Sequence, residues 1–153
     1  MKENILQVLA AIASSFAFGI LFQIKGNRLW AVAAGGGLSW ILYLLLIGVI
    51  GDEAVTYFVV ALSVSLYAEV MARVLKAPAI VFLSPSLIAL VPGASLYYTM
   101  SHAFGGDLRG FAERGLHTVS LAAALALGVI LSAIVMKLYT KLRMMVMEKR
   151  RTQ

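Results

Sequence analysis

Cysteine is absent from this 153-residue chain, proline occurs three times, and only 13% of the residues carry a charge. Without thiols there is no disulfide and no thiolate metal site, and the redox compartment is unreadable. So little charge in a chain that is 61% hydrophobic, with a mean hydropathy of +0.92, excludes an ordinary water-soluble domain. No linker, low-complexity segment or convincing repeat divides it, so a single domain over 1–153 is expected. No His/Asp/Glu cluster has metal-ligand spacing. Gly93-Ala94-Ser95 is followed by Leu96, not by the glycine an intramembrane serine protease would want. Glu69 is the one acid embedded in an apolar run, so no carboxylate pair can share a site as in an aspartyl protease. An enzyme is not expected, and no cofactor is implied.

What is present is a series of apolar runs of about 20 residues, the length that crosses a bilayer as a helix. Five are expected, at about 5–24, 29–50, 54–75, 79–101 and 111–136. The fold class is therefore an all-α membrane protein in the lipid bilayer. The first run follows Lys2 but is too long for a signal peptide, and no small-x-small cleavage site precedes Lys25, so it reads as a retained span. Small residues recur every four positions at Ala11, Ser15 and Gly19, at Ala31, Gly35 and Ser39, and at Ser120, Ala124, Gly128 and Ser132. Such stripes let helices approach closely in lipid, and close packing accounts for them; they also allow a homo-oligomer. Gly35-Gly36-Gly37 lies mid-helix without the strand, Lys and Ser/Thr of a phosphate loop, so it reads as a close contact or a bend.

The net charge of +6 does not indicate nucleic acid, because the basic residues follow the membrane. If the five spans alternate, Lys25, Arg28, Arg73, Lys76, Lys137, Lys141, Arg143, Lys149, Arg150 and Arg151 share one side, ten of the 13 Lys and Arg. The positive-inside rule then puts the N-terminus outside and the basic tail, 137–153, in the cytoplasm.

The fourth run is interrupted by Pro85 and Pro92. Proline lacks an N–H and clashes with the carbonyl four residues back, so the carbonyls of Val81 and Ile88 are expected to lose their helical partners. In hydrocarbon such a break survives only if buried in protein or lining a wet cavity. A helix restarting after Pro92 offers the N–H groups of Gly93, Ala94 and Ser95 to a carboxylate, at the positive end of its dipole. Ser84, Ser86, Ser95, Tyr97 and Tyr98 can hydrogen-bond a small polar solute, and the Ile88 carbonyl an ammonium. The alternative is a proline kink that only shapes the bundle.

In the third run Ser65, Glu69 and Arg73 stand four apart and form one polar stripe. An embedded acid is costly unless paired or wetted, and Arg73 is the obvious partner. Two readings stand, a structural ion pair and a gating or proton-coupling pair. His102 and His117 flank the loop between the last two spans; histidine is a residue type used as a pH switch, though interfacial histidines commonly have no special role.

Ala68-Glu69-Val70-Met71-Ala72-Arg73-Val74-Leu75-Lys76-Ala77-Pro78, followed by Leu90-Val91-Pro92-Gly93-Ala94-Ser95-Leu96-Tyr97-Tyr98, resembles the small, C-terminal half of the threonine/serine exporter family. The family often has a proline just ahead of Leu-Val-Pro-Gly, where this chain has Ala89 and places its extra proline at Pro85. The resemblance implies export of threonine, serine or a dicarboxylate such as succinate, driven by the proton gradient across the inner membrane. It also implies a larger partner subunit that supplies the N-terminal half. A channel and a non-transporting assembly subunit are the competing classes.

Overall fold

The computed structural model describes residues 2–151, with the side chains of 2–145. Those residues form helices α1 (Lys2–Leu21), α2 (Asn27–Ile50), α3 (Glu53–Val74), α4 (Ala79–Leu87), α5 (Gly93–Phe104) and α6 (Leu108–Arg151), with one 3₁₀ turn, Ile88–Leu90, between α4 and α5. Among the described residues four helices are long and apolar enough to cross a membrane, or five if the bent pair Ala79–Leu90 and Gly93–Phe104 is one broken span. The chain is an all-α, multi-pass membrane protein.

The ends of the helices have local causes. Gln23 adopts φ 59°, its N–H reaches the Ile20 carbonyl at 2.8 Å and that of Ile24 reaches the Gly19 carbonyl at 2.9 Å. This is a Schellman stop, and it ends α1 three residues before the expected Ile24. Ile24 folds back into a core with Val32, Ala68 and Phe82. Lys76, at φ 49°, ends α3 the same way, with the Ala77 N–H on the Ala72 carbonyl at 3.0 Å. Arg28, in the first turn of α2, donates to the Leu75 and Lys76 carbonyls at 3.3 and 3.4 Å. Two basic loops expected on one side are thus joined. At the other end Asp52 caps α3, its carboxylate accepting from the Val55 N–H at 2.8 Å.

The small-residue stripes are where the helices touch. Ala11, Ser15 and Gly19 are the buried residues of α1. A Cβ on Gly36 would lie 2.9 Å from the Ala11 carbonyl oxygen, and one on Gly37 would lie 2.8 Å from Ile12 Cγ1. Gly128 of α6 faces α3 so closely that a Cβ would stand 2.6 Å from the Phe58 carbonyl oxygen. Ser120 leaves the third stripe: it is exposed, and its hydroxyl donates to the His117 carbonyl at 2.7 Å.

The expected basic tail continues the helix of the fifth apolar run, because α6 is one helix of 44 residues, about 66 Å at 1.5 Å per residue. After Gly128 it holds neither glycine nor proline, so nothing in its backbone stops it. Residues 152 and 153, and the side chains of Lys149, Arg150 and Arg151, lie outside the described residues. One sequence expectation needs correction here: Pro85 does not break the fourth span. It sits inside α4, wholly buried in a helix packed on both α2 and α3, whose contacts hold it helical despite one missing hydrogen bond.

Candidate functional site

The break occurs at Val91-Pro92, where the two half-helices meet at 53°. Pro92, at φ −74° and ψ 56°, makes an inverse γ-turn in which the Gly93 N–H meets the Val91 carbonyl at 2.6 Å. The Val91 N–H lies 3.2 Å from the Ile88 carbonyl. Two expected free groups, the Gly93 N–H and the Ile88 carbonyl, are therefore occupied, because the chain tightens into a 3₁₀ turn and a γ-turn instead of gaping. Ala94 and Ser95 open the first turn of α5 without any side-chain cap, and Gly93 and Ala94 are exposed.

The serines and tyrosines singled out from the sequence do not share one cavity. Ser84 is exposed in an open groove of about 600 Å³ with Gln23, Lys25, Arg28 and Ile80. Ser86 is buried, its hydroxyl donating to the Val32 carbonyl at 3.4 Å. Tyr97 and Tyr98 are 69% and 54% exposed, edge-on to each other at 5.6 Å. Ser95 alone points from the break into a polar cluster.

That cluster was not legible as a unit, since it joins four helices. Ser95 Oγ lies 2.7 Å from Thr118 Oγ1 and 3.4 Å from His117 Nδ1. The other ring nitrogen of His117 pairs with Glu53 at 3.2 Å, and Glu53 also accepts from the Tyr43 hydroxyl at 3.3 Å. Thr99, one turn after Ser95, donates to the Ser95 carbonyl at 2.8 Å. The α5–α6 turn is closed by Asp107, which accepts from the Gly110 N–H and from His102, each at 3.0 Å. Chiefly the Gly110 N–H, helped by His102, holds the Asp107 carboxyl below its ordinary value.

At the opposite end of α3 the expected Glu69–Arg73 pair does not form. Among the described residues the ion pairs are His102–Asp107 and His117–Glu53. Arg73 turns to α6 instead, donating to Thr140 at 3.1 Å and lying 5.6 Å from the Tyr139 ring centre, a cation–π contact that i, i+4 spacing could not foresee. Glu69 borders two spaces. One is an open groove of about 600 Å³ shared with Arg73, Lys137, Thr140 and Lys141. The other is a small, partly open recess of about 40 Å³ lined by Ser65, Ser132, Ala68 and Leu83. The hydroxyls of Ser65 and Ser132 are buried there without a hydrogen-bond partner, whereas Ser63 and Thr140 turn back onto their own helices, to the Val59 and Met136 carbonyls at 2.8 and 2.9 Å.

The family model described as Threonine/Serine exporter, ThrE, matches residues 7–135, which takes in both the break and the two ends of α3. The chain belongs to the threonine/serine exporter family. No curated relative and no solved structure matches it. Family membership makes this a membrane exporter of the threonine/serine type.

Proposed function

We propose that this exporter carries small carboxylate-bearing metabolites, threonine and serine or a dicarboxylate such as succinate, at the restart of α5. The observation that carries the reading is the uncapped first turn of α5, beside exposed Gly93 and Ala94. Its amides and dipole favour a carboxylate, and Ser95, Tyr97 and Tyr98 border the same turn. Ser84 belongs to a second basic groove with Lys25 and Arg28, which suits the approach of an anion. Ser86 serves the packing of α4 on α2, against Val32 and Gly35.

Glu69 is the proposed coupling residue, with Arg73 as the neighbouring cation of its groove. A carboxylate between an open groove and a smaller, hydroxyl-lined recess can take a proton from one and lose it to the other. The recess holds about one water molecule, and Ser65, Ser132 and Glu69 supply the two to four polar partners such a water needs. The protein sits in the inner membrane with its N-terminus outside and the basic end of α6 in the cytoplasm, following the positive-inside rule. Apolar side chains along α5 and α6, such as Leu96, Phe104, Leu116 and Leu127, are exposed and suit a larger partner subunit, further copies of the chain, or lipid.

The test is flux in vesicles containing the chain and its larger partner subunit. L-threonine should accumulate against its gradient when a proton gradient is imposed, and accumulation should stop when that gradient is collapsed. Downhill flux that ignores the proton gradient would make the protein a channel. Transport by the partner alone would make this chain an assembly subunit.

A further inference from the structure

Half-helix α5 leans on α6 and on no other helix to a comparable extent, so the contacts between these two decide how firmly the proposed solute site is held. Those contacts are polar, and their protons can be counted. The Thr118 hydroxyl donates to the Arg114 carbonyl at 2.8 Å. The Thr99 hydroxyl donates to the Ser95 carbonyl at 2.8 Å and has at most a share for Thr118, at 3.1 Å. Thr118 Oγ1 therefore accepts the one proton of Ser95 across 2.7 Å. Ser95 Oγ then has nothing left to give His117 Nδ1 at 3.4 Å, so that contact is a hydrogen bond only if Nδ1 carries a proton. Nε2 faces the Glu53 carboxylate at 3.2 Å and must also carry one. Every contact is satisfied at once only when His117 is an imidazolium.

We propose that His117 is a positioning residue for the exporter, a proton-operated latch that clamps α5 to α6 when charged and releases it when neutral. The neutral ring keeps its proton on Nε2, facing Glu53, and its bare Nδ1 competes with Thr118 for the Ser95 hydroxyl, so one of the two links to α5 is lost. The groups around the ring are Glu53 from α3, Tyr43 from α2 through Glu53, Ser95 from α5, and Glu113 and Arg114 one turn earlier on α6. Asp52, next to Glu53, is engaged by the Val55 N–H, and His102, on α5, is engaged by Asp107. The His117 side chain is 42% exposed and sits in the first turns of α6, on the same side of the bundle as the start of α3 and the α5–α6 turn. The latch rests on the α5 site proposed above, because only there does holding or freeing this half-helix change the transport step.

The test uses the full chain in lipid nanodiscs, with ¹⁵N-labelled histidine and His102→Asn to assign the two rings. His117 should pass from two protonated ring nitrogens to the Nε2–H tautomer as pH rises. At the same midpoint, the α5 amides should exchange with deuterium about tenfold faster than the intrinsic pH effect explains, the size of losing one charge-assisted hydrogen bond. Ser95→Ala should give the fast exchange at both ends of the titration while His117 still titrates, and His117→Gln should remove the pH dependence. A neutral Nδ1–H tautomer, or α5 exchange indifferent to the titration, would overturn the latch. Neither readout needs a solute. If the nanodisc protein binds no L-threonine, the proposed site falls while the latch is judged on its own; if L-threonine binds and α5 ignores the titration, the latch alone falls.

Discussion

The two ends of α3 handle an acidic residue in opposite ways. At the Glu53 end the carboxylate takes a histidine and a tyrosine, and hydroxyl groups on three helices form a continuous chain around it. At the Glu69 end the acid lacks its expected arginine, which binds Thr140 and Tyr139 instead. Two buried serines beside it have no partner. An unpaired polar group away from water costs about 1–3 kcal/mol, a cost that a polar occupant between the two serines would relieve. The filled end holds helices in place; the open end has room for a moving proton.

The largest effect should come from the open end. Glu69→Gln keeps the shape and loses the titration, so proton-driven L-threonine flux should disappear while the variant still inserts and assembles. Flux that keeps its full pH dependence would return Glu69 to a structural role and remove the contrast.

Gly128 secures both ends at once. Gly128→Val would push a branched side chain into the Phe58 carbonyl and Ala61, contacts already at 2.6 and 2.9 Å for a bare Cβ. A loss of about 1–3 kcal/mol is expected from this overpacking, measured by denaturation in detergent. Unchanged stability would mean that α3 and α6 are not held together as described.

Ser65→Ala with Ser132→Ala sharpens the comparison in the other direction. Removing two unpartnered hydroxyls should hold or raise stability by up to about 1 kcal/mol, yet slow coupled flux by drying the recess beside Glu69. If both stability and flux are unchanged, the recess has no occupant.

The smallest effect belongs to the α5–α6 turn. The Asp107 carboxyl is held below its ordinary value of 3.8 by the Gly110 N–H and His102. A group with a lowered folded value adds stability above its unfolded value and loses it as pH falls through the folded one. Asp107→Asn should therefore lower Tm slightly at neutral pH, and the difference should vanish below the folded value. A difference that persists in strong acid would mean that the cap does not act through charge.

Much of this architecture was legible because lipid imposes simple rules. Apolar length gave the spans, four-residue spacing gave the contact faces of α1 and α2, and Pro92 with Gly93 marked the bend. What failed depended on distant partners. Glu69 and Arg73 have the right spacing on α3, but Thr140 lies 67 residues from Arg73 and no local pattern announces it. His117 and Ser95 are 22 residues apart, and their meeting depends on the α5–α6 turn. The break was located correctly, but its tightness was not foreseen: a γ-turn and a 3₁₀ turn occupied two groups that a simple gap would have left free. Pro85 misled because burial between α2 and α3 held a helix that propensity alone would have broken.

The central claim, that the restart of α5 receives the solute carboxylate, is tested most directly by L-threonine binding to Pro92→Ala with Gly93→Ala. The double substitution removes the γ-turn and lets the fourth span run on as one helix, so the N–H groups of Ala94 and Ser95 turn inward to helical carbonyls. Folding should hold or improve, since proline costs about 3 kcal/mol and glycine about 1 kcal/mol in a helix relative to alanine. Binding to the purified, folded variant should be lost. Unchanged affinity would mean that the break is only a bend and that the solute binds elsewhere.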